Sequence, residues 1–347
     1  MEFNIAFAGF GVVGQGLCEI LLEKDKQLRE KHGLNWKIVA ISDFKLGSIA
    51  DDNGIDIRKV LETLENGGRI DDLEASEKGW DVITMIEKSR ANVLMELTYT
   101  DVKTGEPAMT HVKTALNKGM HVVSTNKGPV VKALSGLKAL ARANNVTYGV
   151  EGVVMSGTPV INLVEYTLAG NNINEVRGIV NGTTNYILTM MEEGMSYQDA
   201  LDKAQKLGYA EADPTGDVEG WDALGKVIIL TSVLFSQELN WDQVEREGIT
   251  NITPEDIQTA KERDMKWKLI GSSKLMSDGT VKASVKPECL PTTDPLAGIS
   301  GATNAVTFIT DELGPVTIIG PGAGKRETGF SLLIELINIA RSERTDG

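Results

Sequence analysis

The segment GYAEADPTGDVEGWDALGK, Gly208–Lys226, carries five carboxylates (Glu211, Asp213, Asp217, Glu219 and Asp222) and ends on a lysine. Three chemistries suit such a run: a solvated acidic loop, a metal cage, or acids and a base arranged around a polar substrate. The D-x-[DN]-x-[DN]-G spacing of a calcium loop is missing, which removes the EF-hand reading. Residues 219–235 have helical spacing, so Asp222 and Lys226 stand four apart on one face. On a solvated helix such a pair is a surface ion pair that contributes roughly a few tenths of a kcal/mol. However, Val227–Phe235 is too apolar for a solvated helix, and Gly216 and Gly220 bracket a tight acidic turn. The helix is therefore expected to be buried, with its first turn facing an enclosed space.

Two other segments carry polar chemistry without an obvious packing reason. In STNKGPV, Ser124–Val130, Lys127 falls just past an expected parallel strand, where ligands of open α/β sheets bind. VNGTTNYIL, Val180–Leu188, places hydroxyls and amides at a strand-to-helix turn. Turn chemistry and helix capping explain that pattern equally well.

A third signal sits at the N-terminus. Gly9-Phe10-Gly11-Val12-Val13-Gly14 fits G-x-G-x-x-G, follows the apolar run FNIAFA and precedes Leu17, Ile20, Leu21 and Leu28 at helical spacing. The first glycine permits a tight turn, the second lets the backbone approach a pyrophosphate, and the third brings helix and strand close. The helix N-terminus offers N–H groups and partial positive charge to the phosphates. Asp43 ends the second expected strand, where an acid binds the adenosine ribose hydroxyls of NAD. It lies farther on than the usual spacing of about twenty residues, which the long first helix accounts for. Lys45, two residues beyond, would instead meet the 2′-phosphate of NADP. Both cofactors stay open.

The elements that must hold these groups alternate. Strands over residues 3–8, 36–42, 91–97, 121–125 and 146–152 are separated by helical patterns, one of them capped by Gly119. That alternation predicts an α/β fold, a Rossmann-type parallel sheet with helices on both faces, over residues 1–150. A second, α+β domain is expected over residues 151–310. A C-terminal strand and helix over residues 311–347, with the turn GPGAG between them, are expected to return to the first domain.

Composition narrows the function. A net charge of −14 over 347 residues argues against nucleic acid or an anionic membrane as partner. Cys18 and Cys289 form no CxxC or disulfide framework, which fits core thiols in a reducing compartment. His32, His111 and His121 show no zinc-ligand spacing. No apolar run is long enough for a membrane span. The N-terminus begins with an acid and lacks the basic stretch of a secretion signal, so a cytoplasmic location is expected.

Taken together, the motifs resemble those of the homoserine dehydrogenases. The pattern Ala204-x3-Gly208-Tyr209-Ala210-x2-Asp213-Pro214-x2-Asp217-Val218-x-Gly220-x-Asp222-x3-Lys226 is similar to that family's signature over its full length. NKGP, VEGVVMSGTPVI (Val150–Ile161), NGTTNYIL and GPGAG (Gly320–Gly324) follow in the family's order, so the resemblance covers essentially the whole chain. It implies interconversion of L-homoserine and L-aspartate 4-semialdehyde with NAD or NADP, on the route to threonine and methionine. By the same resemblance, Glu211 would meet the substrate ammonium, with Asp217, Thr183 and Tyr209 in the same pocket. Lys226 and Lys127 would flank the reacting oxygen. A lysine there can take the hydroxyl proton on oxidation or return it on reduction. Lys226 ranks first for that role and Lys127 second, with Asp222 orienting Lys226.

Thr98, Lys127, Gly322 and Gly324 would join Gly9–Gly14, Asp43 and Lys45 in cofactor binding. The resemblance further implies a monovalent cation, Na+ or K+, held by Glu151 and the carbonyls of Val154, Ser156 and Thr158. Here VMSGT stands where better-known members have VGAGL, a change that carbonyl ligands tolerate. A homodimer built through the second domain is implied. No regulatory extension or fused aspartate kinase is recognised, so no threonine feedback through such a domain is expected. Two other readings stay open: another amino-acid oxidoreductase, such as an aspartate dehydrogenase, and a dinucleotide-sensing regulatory protein. The first should lack the Asp222/Lys226 helix and rely on a histidine. The second should carry a basic partner-binding element, which is missing.

Overall fold

The N-terminal apolar run forms β1 (Glu2–Ala8), with Phe3, Ile5 and Phe7 fully buried. The glycine turn feeds α1 (Val12–His32), whose Leu17, Cys18 and Leu21 pack into the same core. Gly33 ends the helix at φ 65°, a left-handed conformation that glycine adopts without a Cβ penalty. In this computed structural model, which describes residues 2–345, the chain divides into two compact units. One runs to Val153 and resumes at Gly324; the other spans Val154–Ala323.

The first unit continues with β2 (Asn35–Asp43), β3 (Gly47–Ala50), α2 (Ile57–Glu65), β4 (Glu77–Lys78), α3 (Val82–Lys88), β5 (Val93–Glu96), α4 (Ala108–Asn117), β6 (His121–Ser124), α5 (Lys127–Ala143) and β7 (Tyr148–Gly149). The strand order is β4-β3-β2-β1-β5-β6-β7. The strands from β2 through β7 in that order are parallel, as the alternation predicts, while β3 and β4 add antiparallel at one edge. Because β1 lies between β2 and β5, the topology switches direction there, which opens a crevice at the strands' carboxyl ends. The C-terminal helix Lys325–Thr345 packs on α1 in this unit; a Cβ at Gly329 would come within 2.7 Å of the Gly16 carbonyl carbon.

The second unit holds β8 (Ile173–Ile179), α6 (Gly182–Glu192), α7 (Tyr197–Lys206), α8 (Thr215–Val218), α9 (Trp221–Phe235), β9 (Val244–Arg246), α10 (Pro254–Glu262), β10 (Met265–Leu275), β11 (Val281–Pro291), β12 (Thr303–Thr310) and β13 (Gly314–Pro321). Its sheet runs β13-β12-β8-β10-β11-β9, antiparallel except for the last pair. The expected return of a strand after residue 310 to the first domain is corrected here. β13 pairs with β12 over eight residues, Thr303↔Pro321 to Thr310↔Gly314, because a short turn makes the hairpin the nearest partner for its backbone groups. The helix after Gly324, without that strand, belongs to the first unit.

The apolar run downstream of Lys226 is buried as its composition demands. Every residue from Ala223 to Ser232 of α9 is buried, and a Cβ at Gly271 would meet Val227 at 2.7 Å, so α9 lies directly on β10. Cys18 is buried and Cys289 partly buried on β11. Among the described residues no helix is long and apolar enough to cross a membrane.

Candidate active site and dinucleotide groove

The glycine turn is shaped by steric necessity. Gly9 has φ 82°, and a Cβ on it would stand 2.7 Å from the Leu97 carbonyl oxygen. Gly14 is packed between Leu97, Phe10 and Phe7, each at 3.3–3.4 Å from a would-be Cβ, so α1 can sit close to β1 and β5. Gly11 is different: no heavy atom lies within 4 Å of its would-be Cβ. It lines a groove of about 850 Å³ with Gly9, Asp43, Lys45, Trp80 and Thr98. Gly11 is also the N-cap of α1 and supplies no side-chain cap, so Val12 and Val13 present first-turn N–H groups to an anion. An open cradle beside bare helix N–H groups fits a pyrophosphate. Phe10 contributes backbone alone, since its ring is fully buried edge-on against Phe7.

Asp43 does more than sequence spacing shows. One carboxylate oxygen accepts the Phe10 N–H at 2.8 Å, and the other accepts the N–H groups of Lys45 (2.8 Å) and Leu46 (2.9 Å). The acid thus ties the glycine turn to the end of β2 while it lines the groove. Lys45 is exposed beside it. Lys127 opens α5, partly buried. Behind the groove-lining Thr98 and His111, Glu96 is fully buried, accepting from the Thr98 hydroxyl and facing His111 Nδ1 at 3.3 Å.

In the second unit the acidic segment folds as a short helix, α8, then Gly220 at φ 81°, then α9. Lys226 is 8% exposed and its Nζ donates to the Val180 carbonyl at 2.7 Å and to Asp222 at 2.7 Å. Two donations use two of the three positions on the nitrogen. The third can accept a hydroxyl proton when the amine is neutral, or donate one when it is charged. The Asn181 amide joins the acids: Nδ2 donates to Asp217 at 2.6 Å and to Asp222 at 3.0 Å, while Oδ1 caps α6 through Thr184 N–H. Thr183 donates to the Tyr209 carbonyl at 2.6 Å, and its hydroxyl helps to lower the Asp217 pKa. Asp217, Asp222, Lys226, Thr183 and Tyr209 are therefore gathered in one place.

Burial raises the Asp217 pKa, and the Asp222 charge adds to the rise, against the lowering effects of Asn181, Lys226 and Thr183. The sign of the consequence follows. A raised acid is ionised at a cost in the fold, a cost that appears above the ordinary carboxylate range of about 4 and is complete above the raised value. An incoming ammonium would offset it. Asp217→Asn is accordingly expected to raise KM for a substrate that carries an ammonium group by about tenfold or more, with a smaller change in kcat, in steady-state assays. In the wild type that KM should climb as pH falls through the raised pKa, and in Asp217→Asn it should not follow that titration.

The remaining expected residues are placed less centrally. The Glu211 residue is exposed and its backbone carbonyl accepts from Gln205. Tyr209, 45% exposed, rests its ring on Tyr186 at 4.9 Å. Asp213 caps its own turn through the Thr215 hydroxyl and N–H, and Glu219 faces Arg246 and Thr250. Gly322 belongs to the second unit, packed against the Asn304 amide, whereas Gly324 opens the C-terminal helix in the first. Asn304 is fully buried with neither amide atom hydrogen-bonded, and it also lies beside Gly182. A lone asparagine in a strand gave no sequence signal for that position. Glu151 is fully buried and its N–H donates to Glu335 at 2.9 Å. Val154, Ser156 and Thr158 are buried, with Met155 and Ser156 at φ 55°. Among the described residues no group of three His, Cys, Asp or Glu side chains gathers as a metal site.

A glycine cradle at the switch point of a parallel sheet, and a buried lysine set among carboxylates, define a dinucleotide-dependent dehydrogenase. Residues 9–151 match the NAD-binding domain of homoserine dehydrogenase, and residues 159–337 match the homoserine dehydrogenase domain. The chain belongs to the homoserine dehydrogenase family. It is 42% identical to an NAD(+)-dependent homoserine dehydrogenase of Pseudomonas canavaninivorans, covering 98% of this chain and 97% of that one. It is 37% identical to a homoserine dehydrogenase of Methanocaldococcus jannaschii, covering 98% and 99%. Among solved structures, a hyperthermophilic archaeal homoserine dehydrogenase in complex with NADPH aligns at a TM-score of 0.83 with 32% identity, covering 99% and 98%. The protein is an NAD(P)-dependent oxidoreductase that interconverts L-homoserine and L-aspartate 4-semialdehyde.

Proposed function

We propose that Lys226 is the general acid and base of this reaction, oriented by Asp222, and that Asp217 and Glu211 take the substrate ammonium. The observation that carries the reading is the position of Lys226 Nζ, 2.7 Å from both the Val180 carbonyl and Asp222. These two acceptors aim the nitrogen and leave one position for the substrate oxygen. In oxidation Lys226 takes the hydroxyl proton as the carbinol carbon gives up its hydride. The bound nicotinamide supplies the hydride acceptor, or the donor in the reverse direction. Asn181 keeps the two acids apart and correctly turned. Lys127 is a second lysine for the reacting oxygen.

For the cofactor we infer a preference for NAD. Asp43 and Asp81 line the groove against Lys45, while the Asp71 carboxylate is paired with Arg69 at 2.8 Å, a balance that opposes a 2′-phosphate. The name of the Pseudomonas canavaninivorans relative supports the same choice, while the archaeal structure holds NADPH. Initial rates followed at the nicotinamide band with L-homoserine are expected to give kcat/KM for NAD about tenfold or more above that for NADP. A higher value for NADP would reverse the assignment, and no turnover with either would remove the proposed roles. The proposal includes a monovalent cation for segment 151–158, supported by its buried oxygens and left-handed turn. It also includes a cytoplasmic homodimer, supported by the exposed Leu313 and Ile319 at the edge hairpin of the second unit.

A further inference from the structure

Asn126, between β6 and α5, is 2% exposed and uses each of its side-chain hydrogen-bonding edges. Its Oδ1 accepts the Gly128 N–H at 3.0 Å and caps α5. Its Nδ2 donates to the carbonyls of Thr98 (3.1 Å) and Tyr99 (3.0 Å), the two residues that follow Leu97 beyond β5. Its own N–H donates to Ser124 Oγ at 3.0 Å, and that hydroxyl donates to the Glu96 carbonyl at 2.9 Å. The next residue in the chain is Lys127. Gly128 then lies so close under the segment after β5 that a Cβ would stand 2.7 Å from the Asp101 carbonyl oxygen and 3.1 Å from Gly105 Cα.

A helix cap needs the oxygen of this amide and nothing more. The two N–H donations go instead to a loop 27 and 28 residues away in sequence, and that loop forms a wall of the groove through Leu97, Thr98 and Tyr99. Leu97 is held from the other side, where its N–H donates to the Ala8 carbonyl at 2.8 Å and its own carbonyl packs on Gly9. The wall is therefore fixed to β1 at one end and to the start of α5 at the other. We propose that Asn126 is a positioning residue that locks the Thr98–Tyr99 wall and the Lys127 backbone into one geometry, so that dinucleotide affinity depends on its amide donors and not on its capping oxygen. This rests on the reading that the dinucleotide occupies the groove beside Thr98.

The test separates the two edges of the amide. Asn126→Ser keeps an oxygen able to cap α5 and loses both long-range donations; Asn126→Asp keeps the capping oxygen and cannot donate. Fluorescence titration with NADH is expected to show Kd raised by about tenfold or more in both variants, with KM for homoserine changed less than about twofold. Thermal denaturation establishes that each variant is folded, and either one alone suffices if the other is not. A residue that merely caps the helix would lower the melting temperature and leave Kd at the wild-type value, and that result in a folded variant overturns the inference. Wild-type titration is the control: failure of the wild type to bind NADH removes the groove reading itself, whereas normal wild-type binding with unaltered variants removes only the role of Asn126.

Discussion

Lys226→Ala is expected to lower kcat for homoserine oxidation by about 10²–10⁴-fold, the range general acid–base catalysis supplies, while NADH binding changes by less than about twofold. The separation follows from geometry. Lys226 sits on α9 among Asp222, Val180 and Asn181, all in the second unit, whereas the dinucleotide groove is built wholly from the first. Removing the ammonium also leaves the Val180 carbonyl without its partner and Asp222 with less compensation, so a stability loss of roughly 1–3 kcal/mol accompanies the kinetic effect. Lys226→Met keeps the packed stem and so separates lost packing from the lost ammonium. Lys226→Arg should be nearly as inactive as alanine, because a guanidinium does not release its proton and cannot act as base. Single-turnover rates with saturating NAD distinguish the chemical step from binding. Turnover within a few fold of wild type in Lys226→Ala, together with its loss in Lys127→Ala, would transfer the acid–base role to Lys127.

What the sequence made legible divides by the range of the interaction. β1, the glycine turn and α1 were readable because strand pattern, glycine spacing and helical periodicity are local. The burial of α9 was readable from Val227–Phe235 alone. The acids of Gly208–Lys226 were readable as a cluster, but not their division of labour. Asn181 joins Asp217 and Asp222 across 36 and 41 residues, and no local pattern announces such a bond. Asp43 was legible as an acid at the end of the second strand; its grip on the Phe10 N–H, 33 residues back, was not. β3 and β4 were missed since they are four and two residues long and lie in a polar stretch. β13 was misplaced because a strand pattern gives no partner, and the hairpin with β12 was closer than any parallel edge.

Gly9→Ala and Gly11→Ala are expected to fail in opposite ways, although the two glycines stand two residues apart in one motif. At Gly9 the backbone has φ 82°, and the added Cβ would lie 2.7 Å from the Leu97 oxygen and 2.8 Å from its carbon. Both are main-chain atoms of Leu97, whose N–H is held by the Ala8 carbonyl, so neither can step aside cheaply. Strain of about 1–3 kcal/mol at such a position corresponds to a fall in melting temperature of roughly 2–12 °C for a unit of this size. At Gly11 the backbone is extended, with φ −75° and ψ −157°, and the added methyl meets no protein atom within 4 Å. Gly11→Ala should therefore melt within about 1 °C of wild type, since a surface change of this kind costs little. The methyl would instead occupy the cradle where a pyrophosphate approaches the α1 N–H groups, so the NADH Kd should rise by about tenfold or more. Calorimetry and NADH titration on the two variants give the crossed pattern directly. A Gly11→Ala variant that binds NADH as tightly as wild type would mean that the open face of Gly11 is not where the phosphates sit. The groove would then have to hold the dinucleotide through Asp43 and Thr98 alone.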